Sequence, residues 1–434
     1  MNESLLQYIS ACPTAYQAVE HTAQLLEAEG YLRLREEGWA LLEAGRGYYT
    51  TRNGSSLIAF RVPRDRDIRG FMITAAHGDS PCFKIKENSE LCDGHTLRLS
   101  VEKYGGMLCA TWMDRPLSVA GRVTVRTEEG LSVRNVDLAA PMAVIPSVAI
   151  HMNRNANEGA SYNPAVDMIP LCGEAAEAGM LRRRLAESLN VPQEDILTTD
   201  LFLYNPDPGM EWSGYVSAPR LDDLQCAYAS LRAFLLSREE GAQAVPVFCL
   251  FDNEEVGSQT KQGAASTFLF DTLTHICEAA GMTHSEMVAK LSASFMVSCD
   301  NAHAVHPNHP EYQDRNHAVY MNGGVVVKYN ANQRYTTDAV SAGILEIICR
   351  RAGVPVQRYA NRADMMGGST LGNIANTKVS LNTVDVGLAQ LAMHSSYETA
   401  GKQDTDYMTT ALTAFFRTVI STDGEGGYRL DTLA

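Results

Sequence analysis

The sequence predicts an α/β protein in which a mostly parallel sheet flanked by helices is interrupted by an inserted, mostly β domain. Three observations carry this. Short, β-prone apolar runs alternate with helical periodicity before residue 90 and again after residue 217. Between Glu90 and Ser217 the texture changes to short strand-like pieces punctuated by Gly, Asn and Pro. The chain, at 434 residues, is also too long for one ordinary core. The expectation is therefore two domains, residues 1–89 with 218–434, and residues 90–217 between them.

Taken in order, Leu5 to Ala28 carries apolar residues at mixed three- and four-residue spacings and reads as helix, ahead of Gly30 and a polar turn at Arg52 to Ser55. Leu57 to Val62 and Phe71 to Ala75 read as strands, and the second runs into His77-Gly78-Asp79-Ser80-Pro81, where Gly and Pro force a loop. In the middle segment Gly121 to Arg126 and Ala143 to Ile150 read as strands, and Glu174 to Leu189 as helix. Beyond it the pattern gives a helix over Leu224 to Leu236, a strand over Val245 to Phe251, a helix near Phe268 to Ala280 and a strand over Ser294 to Ser298. A strand at Gly324 to Lys328 and helices over Ala339 to Arg351 and Asp406 to Ile420 complete it. There is no internal repeat.

Composition narrows the function classes. With 45% apolar and 20% charged residues the chain can bury a large core without disordered tracts. A net charge of −15 argues against nucleic acid or an anionic membrane as the main partner, while leaving room for a locally basic pocket. Residues 1–20 lack a basic segment followed by an apolar one, and no stretch approaches 18 uninterrupted apolar residues, so the expected location is the cytoplasm. Ten scattered cysteines without a CxxC pair read as reduced thiols.

Three strand-like runs each end in a potential metal ligand: His77, the Asp252-Asn253-Glu254-Glu255 run, and Asp300. In an open parallel sheet the C-terminal strand ends converge on one crevice, so residues distant in sequence can meet there. Asp222, ahead of a helix, and His394 are further candidates. Each alone has a plainer reading, as a solvated strand end or, for Asp222 or Asp223, a helix cap. Together, two His and several carboxylates suit zinc, manganese or cobalt better than a thiolate-rich structural site, and supply the five or six ligands that a bridged metal pair needs. Adjacent Glu254 and Glu255, read as extended backbone, point in opposite directions, so one can hold metal while the other takes a proton from water. Metal coordination lowers the pKa of water from about 15.7 towards roughly 7, where a carboxylate base suffices. Asp79, two residues beyond His77, is placed to accept the second imidazole N–H.

Six spaced motifs resemble the aspartyl aminopeptidases, a family of two-zinc cocatalytic metallopeptidases, over nearly the whole chain. They are HGDSP at His77, PRLDDL at Pro219, DNEEVGS at Asp252, SCDNAHAVHPN at Ser298, KYNANQRY at Lys328 and LAMHSSYE at Leu391. The resemblance implies two divalent metals per subunit, zinc with manganese or cobalt as alternatives. Asp222 would bridge them, His77 and Asp300 complete one site, Glu255 and His394 the other, and Glu254 serve as general base. It implies substrate contacts at His303, Lys328 and Tyr335, and at His151 in the inserted domain, which resembles a dimerisation domain and would reach a neighbouring subunit's pocket. Asp223, beside the implied bridge, competes for that role, and the clan resemblance implies a cis Asp222–Asp223 bond. Cys82 and Cys299, near ligands, read as packing residues, and His306, His309 and His317 as structural. The implied substrates are peptides with an acidic N-terminal residue, and the implied assembly is a homo-oligomer of dimers, as large as a dodecamer, without nucleic acid or membrane. Alternatives are a broader aminopeptidase or amidohydrolase of the same clan, and a non-catalytic assembly or cargo protein keeping the fold.

Overall fold

The computed structural model describes residues 3–39, 42–64, 68–238 and 244–432. Its largest sheet has nine strands in the order Leu32–Arg33, Gly47–Arg52, Ser56–Arg61, Val245–Phe251, Phe71–His77, Phe295–Cys299, Asn382–Gly387, Val325–Tyr329 and Val356–Ala360. From Val245–Phe251 to Asn382–Gly387 the strands are parallel. Antiparallel pairing enters on both sides, where Ser56–Arg61 joins Val245–Phe251 and Val325–Tyr329 joins Asn382–Gly387.

The central strands show no polar alternation in sequence because both faces of the sheet are covered. Every residue of Phe71–His77 and Val245–Phe251 is buried. Side chains of Phe295–Cys299 split between two cores: Phe295, Val297 and Cys299 enter one and Met296 the other. Helices Leu5–Ala11, Ala15–Ala28, Leu221–Leu236, Ala339–Arg351 and Asp404–Phe416 build the first core, and Phe268–Ala279, His284–Ser292 and Leu371–Ala375 the second.

A second, antiparallel sheet has six strands in the order Gly130–Asp137, Ser118–Thr127, Ile196–Tyr204, Cys82–Cys92, Thr96–Tyr104 and Leu171–Glu174. It has its own apolar core, to which helix Met180–Leu189 contributes Met180, Leu181 and Leu185. The boundary expected at residues 89/90 falls inside Cys82–Cys92, whose first residues already pair with Thr96–Tyr104. A third sheet orders Met210–Trp212, Tyr215–Ala218, Glu398–Gly401, Ala389–Leu391 and Ala302–His303. It joins the end of the middle segment to two later parts of the chain.

Several elements differ from the sequence expectation. The first helix is two, Leu5–Ala11 and Ala15–Ala28, because Pro13 lacks an N–H and the Thr14 hydroxyl caps the second by accepting from the Tyr16 N–H. Ala143 to Ile150 is not a strand: only Ala143, Val144 and Ile145 make isolated bridges. Glu174 to Leu189 breaks at Gly179, whose φ of 83° is left-handed, leaving a short turn at Ala175–Glu177 and the helix Met180–Leu189. The last helix stops at Phe416, and the β-branched run that follows pairs as Thr418–Thr422 with Tyr428–Thr432. Helix His284–Ser292 was legible only in its Thr283-to-Glu286 capping box. Among the described residues no helix is long and apolar enough to cross a membrane.

Candidate metal centre

Strand pairing brings the ligand candidates together. Phe251 pairs with His77 across the central strands, and the Gly78 N–H donates to the Phe251 carbonyl at 2.9 Å. On the other side, the Asp300 N–H donates to the Val386 carbonyl at 3.0 Å. His77, Glu254 and Asp300 therefore meet at one end of the sheet, each offering an atom within 4.8 Å of the others, as do His77, Asp222 and Glu255.

Asp222 enters from the start of helix Leu221–Leu236, where Asp222 and Asp223 have non-helical backbone angles and their shared peptide bond is cis. The Asp222 carboxylate lies between two imidazoles, its Oδ1 3.6 Å from His77 Nε2 and its Oδ2 3.5 Å from His394 Nε2. Asp223 points elsewhere and accepts the backbone N–H of His77 at 3.2 Å. His394, at φ 67°, also brings Nε2 within 3.4 Å of Glu255 Oε2.

Asp79 does more than orient an imidazole. His77 Nδ1 lies 3.0 Å from the Asp79 backbone carbonyl and 3.4 Å from its carboxylate, which leaves Nε2 facing Asp222. The same carboxylate accepts the N–H groups of Glu254 and Glu255, both at 3.2 Å. This corrects the reason expected for the divergence of the two glutamates. Glu254–Val256 is a 3₁₀ turn rather than extended backbone, entered through Asn253 at φ 61°, and Asp79 anchors it. The Tyr104 hydroxyl, from the second sheet, donates to Asp79 at 2.7 Å and accepts from Asn253 Nδ2 at 2.8 Å.

Lys328, only 3% exposed, lies 3.3 Å from Asp300 Oδ1, donates to the Asn301 carbonyl at 3.0 Å and sits 5.3 Å from the centre of the buried Tyr335 ring. His303 is on the third sheet, 6.1 Å from the Tyr359 ring centre. The surrounding protein and the Lys328 cation lower its pKa to about 4, so the imidazole is neutral at physiological pH. His151 is not drawn into this cluster; it occupies an exposed turn. His309 pairs with Glu311 and His317 with Asp314, away from the centre. Cys299 packs in the apolar core, and burial raises the thiols of Cys82 and Cys299.

The electrostatics explain what such a site can hold. Burial raises Glu254 to about 8, helped by repulsion from Asp300, Asp79 and Asp222, and raises Glu255 and Asp300 as well. Burial also opposes ionisation of Asp222, but His394 and His77 overcome it and hold that carboxyl low. Asp222 Oδ1 and Glu255 Oε1 are buried without a hydrogen-bond partner. Buried, unpartnered carboxylate oxygens on residues beside imidazole nitrogens fit divalent cations, and the mixed N/O donor set fits zinc.

Sequence reasoning passed over Tyr104 and Glu398. Glu398, 2% exposed, accepts the N–H groups of Asp222 at 3.0 Å and His394 at 2.8 Å. It lies in the same motif as His394, which was its available signal; Tyr104 had none.

Comparison with known proteins finds relatives over nearly the whole chain. The family described as Aminopeptidase I zinc metalloprotease (M18) matches residues 8–416. A protein named "Probable M18 family aminopeptidase 2" from Clostridium acetobutylicum is 39% identical over 426 residues, covering 95% of this chain and 98% of its own. One of the same name from Pseudomonas aeruginosa strain UCBPP-PA14 is 40% identical over 427 residues, covering 96% and 98%. Among solved structures, Ape4 in a complex with Nbr1 superposes with a TM-score of 0.90 at 34% identity, over 95% of this chain and 84% of that one. The S. cerevisiae mApe1 dodecamer gives 0.83 at 27% identity, over 95% of each chain.

The raised carboxyls set a pH dependence for the protein stripped of divalent ions. Glu254 and Glu398 titrate at about 8 when folded against a usual 4.5. Below about pH 4.5 both states hold the proton; above it the unfolded chain releases a proton that the fold retains, so stability is lost as pH rises towards about 8. His394, raised to about 10 by Asp222 and Glu255 against the effect of burial, acts with the same sign. The melting temperature of chelator-stripped protein is expected to fall across this window, and added zinc to restore most at its upper end. A flat profile would show that these groups are solvated.

Proposed function

The chain belongs to the M18 family of zinc aminopeptidases, and we propose that it removes N-terminal aspartate and glutamate from peptides, with Glu254 as general base. The observation that carries the specificity is Lys328, a buried cation beside the Tyr335 ring and 3.3 Å from Asp300 of the ligand cluster. A carboxylate that reaches Lys328 would meet a desolvated positive charge, and charge-assisted bonds to it are strong there.

In this reading His77 and Asp300 would hold one zinc and Glu255 and His394 the other, with Asp222 shared between them. When bound, the pair supplies Lewis-acid polarisation of the scissile carbonyl and makes water acidic enough to ionise near neutral pH. Glu254 takes the proton from the attacking water and returns it to the departing amine. Neutral His303 and the Tyr335 hydroxyl can donate to the substrate without adding charge. One feature favours broader specificity: Lys328 already pairs with Asp300, which spends part of its charge within the protein.

The proposed assembly is a homo-oligomer built from dimers, as the dodecamer of the S. cerevisiae relative suggests. The middle segment is proposed as the dimerisation domain. Val148, Ile150 and Met152, which flank His151 in the chain, are 48–83% exposed, more apolar surface than a free loop requires. His151 of one subunit would donate to the oxyanion in the pocket of another.

Three outcomes are expected. Glu254→Gln keeps its zinc, measured by metal analysis, and loses turnover by at least about 10²-fold, because an amide cannot accept the proton; comparable activity in metal-replete mutant would remove Glu254 from the role. Lys328→Ala lowers kcat/KM for aspartyl substrates by roughly 2 kcal/mol or more and for leucyl substrates much less. Equal losses on both, with zinc depleted, would assign Lys328 to Asp300 and support the broader specificity. Finally, mixing inactive His151→Ala and Glu254→Gln proteins under conditions of demonstrated subunit exchange restores activity, whereas an inactive mixture would mean that the site is built within one chain.

A further inference from the structure

We infer that Glu398, with Gln390 and Asn301, is a positioning residue that fixes the spacing of the ligand-bearing segments; the inference rests on the metal-site assignment proposed above. The two oxygens of Glu398 serve two different segments. Oε2 accepts from the Asp222 N–H at 3.0 Å and Oε1 from the His394 N–H at 2.8 Å, so one rigid group spans the implied bridge and a terminal ligand.

The connection continues to the third segment. Gln390 Nε2 donates to Glu398 Oε1 at 3.3 Å, and Gln390 Oε1 accepts from Asn301 Nδ2 at 2.8 Å. Asn301 follows Asp300 in the chain. Its Nδ2 also contacts the Leu221 carbonyl at 3.1 Å, immediately before Asp222, and Gln225 Oε1 at 3.1 Å. Its own carbonyl accepts from Lys328 at 3.0 Å. Glu398, Gln390, Asn301 and Gln225 are each at most 2% exposed.

Water cannot replace a broken member of such a network at low cost, so the partners hold one arrangement. Loosening one bond shifts a ligand backbone relative to the others. Residues behind metal ligands commonly change metal affinity by about 10- to 100-fold when altered. The network therefore tunes zinc binding as well as satisfying buried amides, and it links the cation Lys328 to the Asp222 and His394 segments.

The test uses the full chain and reads metal binding rather than turnover. Glu398→Gln keeps the shape but sets an NH₂ against one of the two backbone donors. It is expected to weaken zinc binding about 10- to 100-fold by chelator competition. It should also change the visible absorption of the Co²⁺-loaded protein, while the metal-stripped protein still folds. Gln390→Met leaves both backbone bonds of Glu398 and cuts the path to Asn301; a smaller change of the same kind is expected. Wild-type affinity and spectrum in Glu398→Gln would overturn the inference. So would a metal-stripped Glu398→Gln protein that does not fold together with a Gln390→Met protein of wild-type affinity and spectrum, since the network would then serve stability alone. His77→Ala, run in parallel, separates the two levels: full zinc stoichiometry in that variant would break the metal-site assignment itself.

Discussion

The structure depends on how it buries many carboxylates at one end of a parallel sheet. Glu254 with Asp300, and Asp222 with Glu255, each gather within 4.8 Å of His77, while Asp79, Asp223 and Glu398 bond to the backbones behind them, and so many like charges in a buried site are strongly unfavourable without compensation. Two layers of compensation are visible. The outer carboxylates accept from backbone donors: Asp79 from Glu254 and Glu255, Asp223 from His77 while its Oδ1 stays unpartnered, and Glu398 from Asp222 and His394. The inner ones face imidazoles, Lys328 or no protein donor at all. Outer carboxylates thus hold the backbone in place, while inner oxygens remain for cations.

This division explains why the site is assembled from all parts of the chain. The central strands supply His77, the Glu254 turn and Asp300, but their side chains are fixed by groups from elsewhere. Tyr104 of the second sheet holds Asp79, and Asp79 holds the turn. The third sheet brings Gln390 and Glu398 behind His394. Arg220, ahead of Asp222, donates to the Ile9, Cys12 and Asn205 carbonyls, tying the first helix and the end of the second sheet to the segment that carries Asp222. Burial disfavours the charge on this guanidinium, and three carbonyls with the nearby Tyr204 ring offset that cost.

Specificity and catalysis share a boundary at Asp300. Lys328 reaches Asp300 and the Asn301 carbonyl at once, so the cation proposed to read the substrate also touches a proposed ligand. A substrate carboxylate and Asp300 would then compete for the same ammonium. A point charge with three donors can serve both, which a planar guanidinium, fixed in its fork, would do less readily.

By itself the sequence determined the fold class, because strands covered on both faces read as continuous apolar runs and their C-terminal ends carry His77, Glu254, Glu255 and Asp300. It also specified the family, since motifs record chemistry that tolerates little substitution. It left open whether Asp222 or Asp223 stands between the imidazoles, and it gave the wrong backbone for Glu254 and Glu255. The structure decided both through hydrogen bonds over long sequence separations, from the His77 N–H to Asp223 and from the Glu254 and Glu255 N–H groups to Asp79. Tyr104, Gln390 and Glu398 were legible only in three dimensions for the same reason. A residue that acts by holding another's backbone leaves no periodicity, spacing or composition in its own neighbourhood, and its role exists only once the tertiary fold has brought the two segments together.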